Sequence, residues 1–133
     1  MNFISVYDAA IPSGHALERL YELLREREAT ENISHRTLPT LEDHVKFILS
    51  RPYAAWYLII EDGTCFGAIY LTWKDEIGIS VFNQYSGAAV EELMKLHPRK
   101  RYLVNINPFN ERLIKMFSEM GFRHIQNTYE ILK

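Results

Sequence analysis

Residues 76–96 read EIGISVFNQYSGAAVEELMKL, and this stretch decides the fold. Glu76 to Phe82 is a short run rich in β-branched residues, the mark of a strand. Val90, Leu93, Met94 and His97 recur at i, i+3, i+4 and i+7, one face of a helix. Between strand and helix lies Gln84-Tyr85-Ser86-Gly87-Ala88-Ala89, whose last four residues carry no bulky side chain. Small side chains at a helix start let several N–H groups converge on one anion, with the helix dipole behind them. Phosphate or pyrophosphate is therefore the ligand class this loop suits. A plain strand-to-helix turn, with small residues for close packing, reads equally well from the loop alone. Neither G-x-x-x-x-G-K-[ST] nor G-x-G-x-x-G occurs in the chain, so P-loop and dinucleotide-binding readings have no support.

Upstream, Phe66 to Trp73 and Tyr57 to Ile60 read as two more strands, joined by Glu61-Asp62-Gly63-Thr64 with its Asp-Gly hairpin signal. Lys74-Asp75 turns the chain into the central strand, giving an antiparallel meander. Phe3 to Tyr7 reads as a first strand. Leu17, Leu20, Tyr21 and Leu24 stripe a helix over residues 14–27, with Ser13 as its expected cap. A polar linker over residues 29–39 follows, and linkers of that length in a compact domain are often functional. Thr40 should cap a second helix, whose Glu42 and Asp43 suit the positive end of its dipole and whose Leu41, Val45, Ile48 and Leu49 face inward. Downstream, Arg101 to Ile106 is a strand. A strand–helix–strand crossover is normally parallel, so the sheet should be mixed. Asn107 is the expected cap of a last helix with Pro108 at its first position. Leu113, Met116, Phe117 and Met120 form its buried face, Gly121 is its stop, and Phe122 to Lys133 is expected to be a closing extended strand.

Composition narrows the class. The chain has 133 residues, 47% apolar and 13% aromatic, enough for one packed domain. A net charge of −2 supplies no basic field for nucleic acid. The local run Arg99-Lys100-Arg101 is either solvent-facing or a contact for a phosphorylated ligand. The single cysteine, Cys65, excludes an intramolecular disulfide and reads as a small hydrophobe. No signal peptide or membrane span is read, so a cytoplasmic protein without membrane or nucleic-acid partners is expected.

The order of strand, two helices, three antiparallel strands, helix, strand, helix, strand resembles the GNAT superfamily of N-acetyltransferases. Two motifs carry the likeness. Gln84, Gly87 and Ala89 fill the family loop [QR]-x-x-G-x-[GA]. Asn110 and Gly121-Phe122 fill the second signature, an Asn opening a helix that ends in Gly-Phe. The fold so implied is α+β, a central mixed sheet flanked by about four helices, with the closing strands reduced.

The resemblance implies acetyl-coenzyme A as acetyl donor, no metal, and a primary amine as acceptor, an amino sugar or another small molecule. A protein N-terminus or lysine is the alternative acceptor, and a module that holds the donor without turning it over is the alternative function. A monomer or homodimer is expected. The pyrophosphate would rest on the N–H groups of Gln84, Tyr85, Ser86, Gly87, Ala88 and Ala89. The strand edge at Ser80, Val81 and Phe82 would pair with the pantetheine amides, and an N–H near Val81 would polarise the thioester carbonyl. Asn110 would hydrogen-bond the pantetheine arm, or serve as an ordinary first-turn residue.

The chain departs from the family in three places, one of them its reduced closing strands. Phe117 stands where many members carry the tyrosine that protonates the leaving thiolate, and Asn105 where some carry a glutamate base. An amide takes no proton at neutral pH. Glu76, His35 and Tyr129 are the candidate replacements. Glu76 could act through water, His35 has a suitable unperturbed pKa, and Tyr129 supplies a phenol. Each also has a bland reading, such as a solvated strand-edge carboxylate for Glu76. Ser86, where many members have a basic residue, is at most a phosphate contact. His44 reads as a packing residue more readily than as a catalyst. Tyr53, Trp56, Tyr57, Tyr70 and Trp73 could wall an acceptor slot or fill the core.

Overall fold

The structure is a computed structural model that describes residues 1–9, 14–25, 39–80 and 84–133. Five strands form one open sheet in the order β1 (Asn2–Ser5), β2 (Tyr53–Glu61), β3 (Thr64–Thr72), β4 (Glu76–Ile79) and β5 (Leu103–Val104). The first four are antiparallel neighbours, and β5 runs parallel to β4. The expected mixed α+β sheet is therefore present. Around it lie α1 (Val6–Ala9), α2 (Gly14–Arg25), α3 (Leu41–Leu49), α4 (Ser86–Leu96) and α5 (Glu111–Glu119).

The two-residue period of the strands sorts the core into two layers. Ala55 and Ile59 of β2, Ile69 and Leu71 of β3, and Ile77 and Ile79 of β4 pack under Val90 and Leu93 of α4 and Leu113 and Phe117 of α5. Their neighbours Trp56, Leu58 and Ala68 face the other way, against Leu20 and Leu23 of α2 and Ile48 of α3. Arg19 ties α2 to the sheet by donating from Nε and Nη2 to the Cys65 carbonyl at 3.2 and 2.9 Å. The β2–β3 turn has Asp62 at φ 50° and Gly63 at φ 76°, the left-handed pair that the Asp-Gly signal demands. Thr40 caps α3 as expected, its Oγ1 accepting from Asp43 N at 3.1 Å.

Several element readings change. Val6 and Tyr7, read as strand, open α1 instead. Of the strand read over residues 101–106, only Leu103 and Val104 pair as β5. β2 begins at Tyr53 rather than Tyr57. Tyr53 is anchored by a reciprocal pair of bonds with the Tyr7 hydroxyl, its N–H donating at 2.9 Å and its carbonyl accepting at 2.8 Å. The last helix starts three residues late. Its cap is Asn110, whose side chain accepts from Leu113 N. Asn107 instead caps a preceding turn, its Oδ1 accepting from Phe109 N at 2.9 Å. Either Asn has the chemistry of a cap, and Pro108 pointed to the wrong one. The closing strand is lost as well: no strand forms among residues 122–133. The expected cap Ser13 and the linker up to residue 38 lie outside the described residues.

Gly78 sits where β4 passes beneath Tyr70, and a Cβ built there would meet the Tyr70 ring. Tyr70 cannot move freely, because its ring stacks on Tyr53 with centroids 3.9 Å apart and planes 3° from parallel. Gly78→Ala should therefore cost about 1–3 kcal/mol of stability, measurable by urea denaturation. A variant as stable as the parent would show that the stack yields at no cost.

Candidate functional site

The site is built where β4 and β5 part. Their parallel register runs Glu76 to Leu103 and Ile77 to Val104 and extends no further. Ser80 N bonds the Ala68 carbonyl across β3 at 2.8 Å. Main-chain groups alternate in direction along a strand, so those of Ile79 point to the opposite side, into the space beside β5. Among the described residues, no strand pairs with the end of β4 on that side. Ser80 is half-buried at this edge, while Val81 and Phe82 lie outside the described residues.

The start of α4 faces the same end of the strand. Tyr85 is its N-cap residue and supplies no side-chain cap bond. Tyr85 is positioned instead by stacking on Phe66 of β3, centroids 5.5 Å apart. Ala89 N bonds the Tyr85 carbonyl at 2.9 Å, so the orphan donors of this turn lie ahead of Ala89, Gly87 and Ala88 among them. A Cβ added at Gly87 meets nothing within 4 Å, which leaves room above the turn. Gln84 and Ala88 are exposed, whereas Ser86 and Ala89 are buried. Of the six loop residues, the exposed and open positions are those a bound anion could reach, and Ala89 belongs to the core.

On the face of the sheet that carries α2 and α3, two expected residues meet. Asn105 Nδ2 donates to Glu76 Oε2 at 2.7 Å. Thr72 Oγ1 lies 3.4 Å from the other carboxylate oxygen and itself accepts from Glu76 N at 3.0 Å. The carboxylate is thus oriented by two neighbours while remaining half-buried. Sequence reading named Glu76 and Asn105 separately and missed Thr72. The parallel register supplied the missing signal, since it sets Glu76 beside Leu103 and so puts Asn105 on the same face. Tyr53, Trp56 and Tyr70 cluster on that face, with Trp56 edge-on to both tyrosines. Tyr57 points to the opposite face, its hydroxyl 2.6 Å from His97 Nε2, and Trp73 is 71% exposed.

Other candidates lie elsewhere. Asn110 is buried, with Oδ1 committed to Leu113 N at 3.2 Å, which leaves its NH2 group to donate. Phe117 is 1% exposed and packs edge-on against Phe122. It occupies the core between α5 and the sheet. Tyr129 is 88% exposed. His35 lies outside the described residues. Among the described residues, no group of three or more His, Cys, Asp and Glu could hold a metal ion, and no helix is long and apolar enough to cross a membrane.

His44 behaves as a packing residue. It is buried against the Tyr21 ring, and its Nε2 has no hydrogen-bond partner among the described residues. Burial holds its pKa below the ordinary value of 6.5. The unfolded chain takes up a proton near that value while the folded chain resists it, so this contribution to stability falls as pH drops below 6.5. His44→Leu should shrink the loss of Tm between about pH 7.5 and about pH 5.5. An unaltered loss would mean that the imidazole titrates freely in the folded chain.

Comparisons with protein families, with curated proteins and with solved structures found no match to this chain. The functional reading therefore rests on the site itself.

Proposed function

We propose that the chain is an acetyl-coenzyme A-dependent N-acetyltransferase of the GNAT type that acetylates a primary amine, such as that of an amino sugar. One observation carries the reading: β4 and β5 separate immediately before the open start of α4. A strand edge with main-chain groups to offer and an anion-binding helix start then lie in line, as a pantetheine arm ending in a pyrophosphate requires.

The fit is chemical. Gly87 and Ala88 N–H groups would hold the pyrophosphate, with space above Gly87 for its oxygens. The open edge around Ile79 and Ser80 would pair with the amides of the arm, and the Asn110 NH2 would donate to it. Bound there, the donor supplies a thioester. The amine nitrogen attacks the thioester carbonyl carbon, the C–N bond forms, the C–S bond breaks, and the electron pair leaves on sulfur. Glu76 is the residue for the amine proton, directly or through one water, because Asn105 and Thr72 already hold its carboxylate in place. Tyr53, Trp56 and Tyr70 would form the apolar wall of the acceptor slot.

The test is calorimetric titration with coenzyme A, followed by thiol release from acetyl-coenzyme A with a panel of amines. Saturable binding and amine-dependent release are expected. No binding at millimolar coenzyme A would overturn the reading. Binding without release for any amine would support the second reading, a donor-binding module, which the burial of Phe117 and the amide at Asn105 favour. Release only with a peptide amine would move the acceptor to a protein N-terminus or lysine.

A further inference from the structure

One polar group on the α2–α3 face of the sheet has no task in the packing. Tyr70 reaches from β3 across β4, and its ring tip and hydroxyl lie where a side chain of residue 78 would stand. The ring is fixed in that place, flat on Tyr53 with centroids 3.9 Å apart and edge-on to Trp56 at 6.4 Å. The hydroxyl makes no hydrogen bond among the described residues. Nor is it sealed from solvent, since the one buried side-chain polar atom left unpartnered among those residues is His44 Nε2. Phenols nearby are committed: Tyr7 to the Tyr53 main chain, and Tyr21 to the Pro39 carbonyl at 2.7 Å.

The sheet sets this hydroxyl beside the Glu76 carboxylate. Residues 76 and 78 are successive positions on one face of β4, ~7 Å apart. Ile77 pairs with Val104, so Gly78 and Asn105 flank the point where β4 and β5 part. Glu76 Oε2 reaches forward to Asn105 Nδ2 at 2.7 Å, which leans the carboxylate toward residue 78. The gap from carboxylate to hydroxyl is then on the order of 5–6 Å. Carboxylate and hydroxyl do not bond each other, Glu76 being held by Thr72 and Asn105. Two hydrogen bonds of ~2.9 Å to one shared nitrogen would span such a gap.

We propose that Tyr70 is a catalytic residue that selects primary over secondary amines, its hydroxyl oxygen accepting one N–H of the attacking nitrogen while Glu76 takes the other proton. This role presupposes the acetyltransferase reading. A primary amine brings two hydrogens on nitrogen. As the C–N bond forms the nitrogen becomes cationic, and the C–S bond breaks with its electron pair on sulfur. One proton passes to Glu76 and on to solvent, from which the thiolate is protonated. The second stays on nitrogen as the amide N–H, directed at the Tyr70 oxygen. A secondary amine has one hydrogen, which Glu76 removes, and it turns a carbon substituent toward the hydroxyl instead. The hydroxyl then loses its partner, and the Tyr53 stack keeps the ring from retreating.

Tyr70→Phe tests this, because it keeps the ring, the stack and the contact with Gly78. Its Tm and its coenzyme A affinity should match those of the parent. The probes are benzylamine, ethanolamine and glucosamine, each beside its N-methyl analogue. For the primary amines, kcat/KM should fall by about 10–100-fold, the worth of one hydrogen bond to a charged nitrogen. The N-methyl analogues already lack that bond and should lose less than about 3-fold, so the preference for primary amines narrows. Primary-amine binding with coenzyme A present, followed without turnover by Trp56 emission, should weaken as well. An unaltered rate with the primary amines would overturn the proposal, and so would an equal loss for both members of each pair; either leaves the acetyltransferase reading standing. Release with no amine in the parent would remove that reading and this role together.

Discussion

Gly87→Glu should lower the affinity for coenzyme A by roughly 100–1,000-fold while leaving the fold intact. A Cβ at Gly87 meets nothing within 4 Å among the described residues of the free protein. A carboxylate in the first turn of α4 also suits the helix dipole, so Tm should hold or rise slightly. With a pyrophosphate on the same turn, the carboxylate becomes a like charge a few ångströms away. At an effective dielectric of about 20, one such contact at ~4 Å costs about 4 kcal/mol. Solvent and side-chain movement recover part of that, and each 1.4 kcal/mol is worth about tenfold in affinity. Gly87→Ala should change affinity little, which separates charge from bulk. Titration of both variants checks the point, and a Gly87→Glu variant that binds as the parent does would move the donor site elsewhere.

Glu76→Gln should cut turnover by about 10²–10⁴-fold, the usual contribution of a positioned proton acceptor, with coenzyme A affinity preserved. The substitution is conservative in shape. A glutamine oxygen can accept from Asn105 Nδ2 as the carboxylate does at 2.7 Å, so the β4–β5 junction need not rearrange. Steady-state rates with a saturating amine, together with a coenzyme A titration, read the two quantities separately. An unchanged rate would show that the amine arrives neutral or that solvent removes the proton unaided.

Periodicity made the architecture legible. Val90 and Leu93 are buried at the helical spacing that predicted them, and the Asp62-Gly63 turn has the backbone its dipeptide announced. Errors arose where two residues offered the same local chemistry. Asn107 and Asn110 are both able caps, and only tertiary packing of α5 distinguishes them. Tyr53 joins β2 because the Tyr7 hydroxyl holds it, a partner 46 residues away. The closing strand could not be judged from alternation at all, since a strand needs a neighbour and the pattern of Tyr129 and Ile131 against Glu130 and Leu132 names none. In the candidate site, Glu76 and Asn105 were visible as residues but not as a pair, for their meeting depends on parallel register. The loop Gln84 to Ala89 was recognised as a unit, while its division into open and core positions follows from how α4 lies on the sheet.

The two tryptophans give the molecule an optical gauge of its own. Trp56 is 6% exposed, edge-on to the Tyr53–Tyr70 stack, whereas Trp73 is 71% exposed on the β3–β4 turn. Their emission maxima should differ, the buried indole blue and the surface indole red. An acceptor entering beside the stack would disturb the blue component alone, and iodide in solution would quench the red one alone. Occupancy of the proposed acceptor slot should thus be readable by light without attaching a dye.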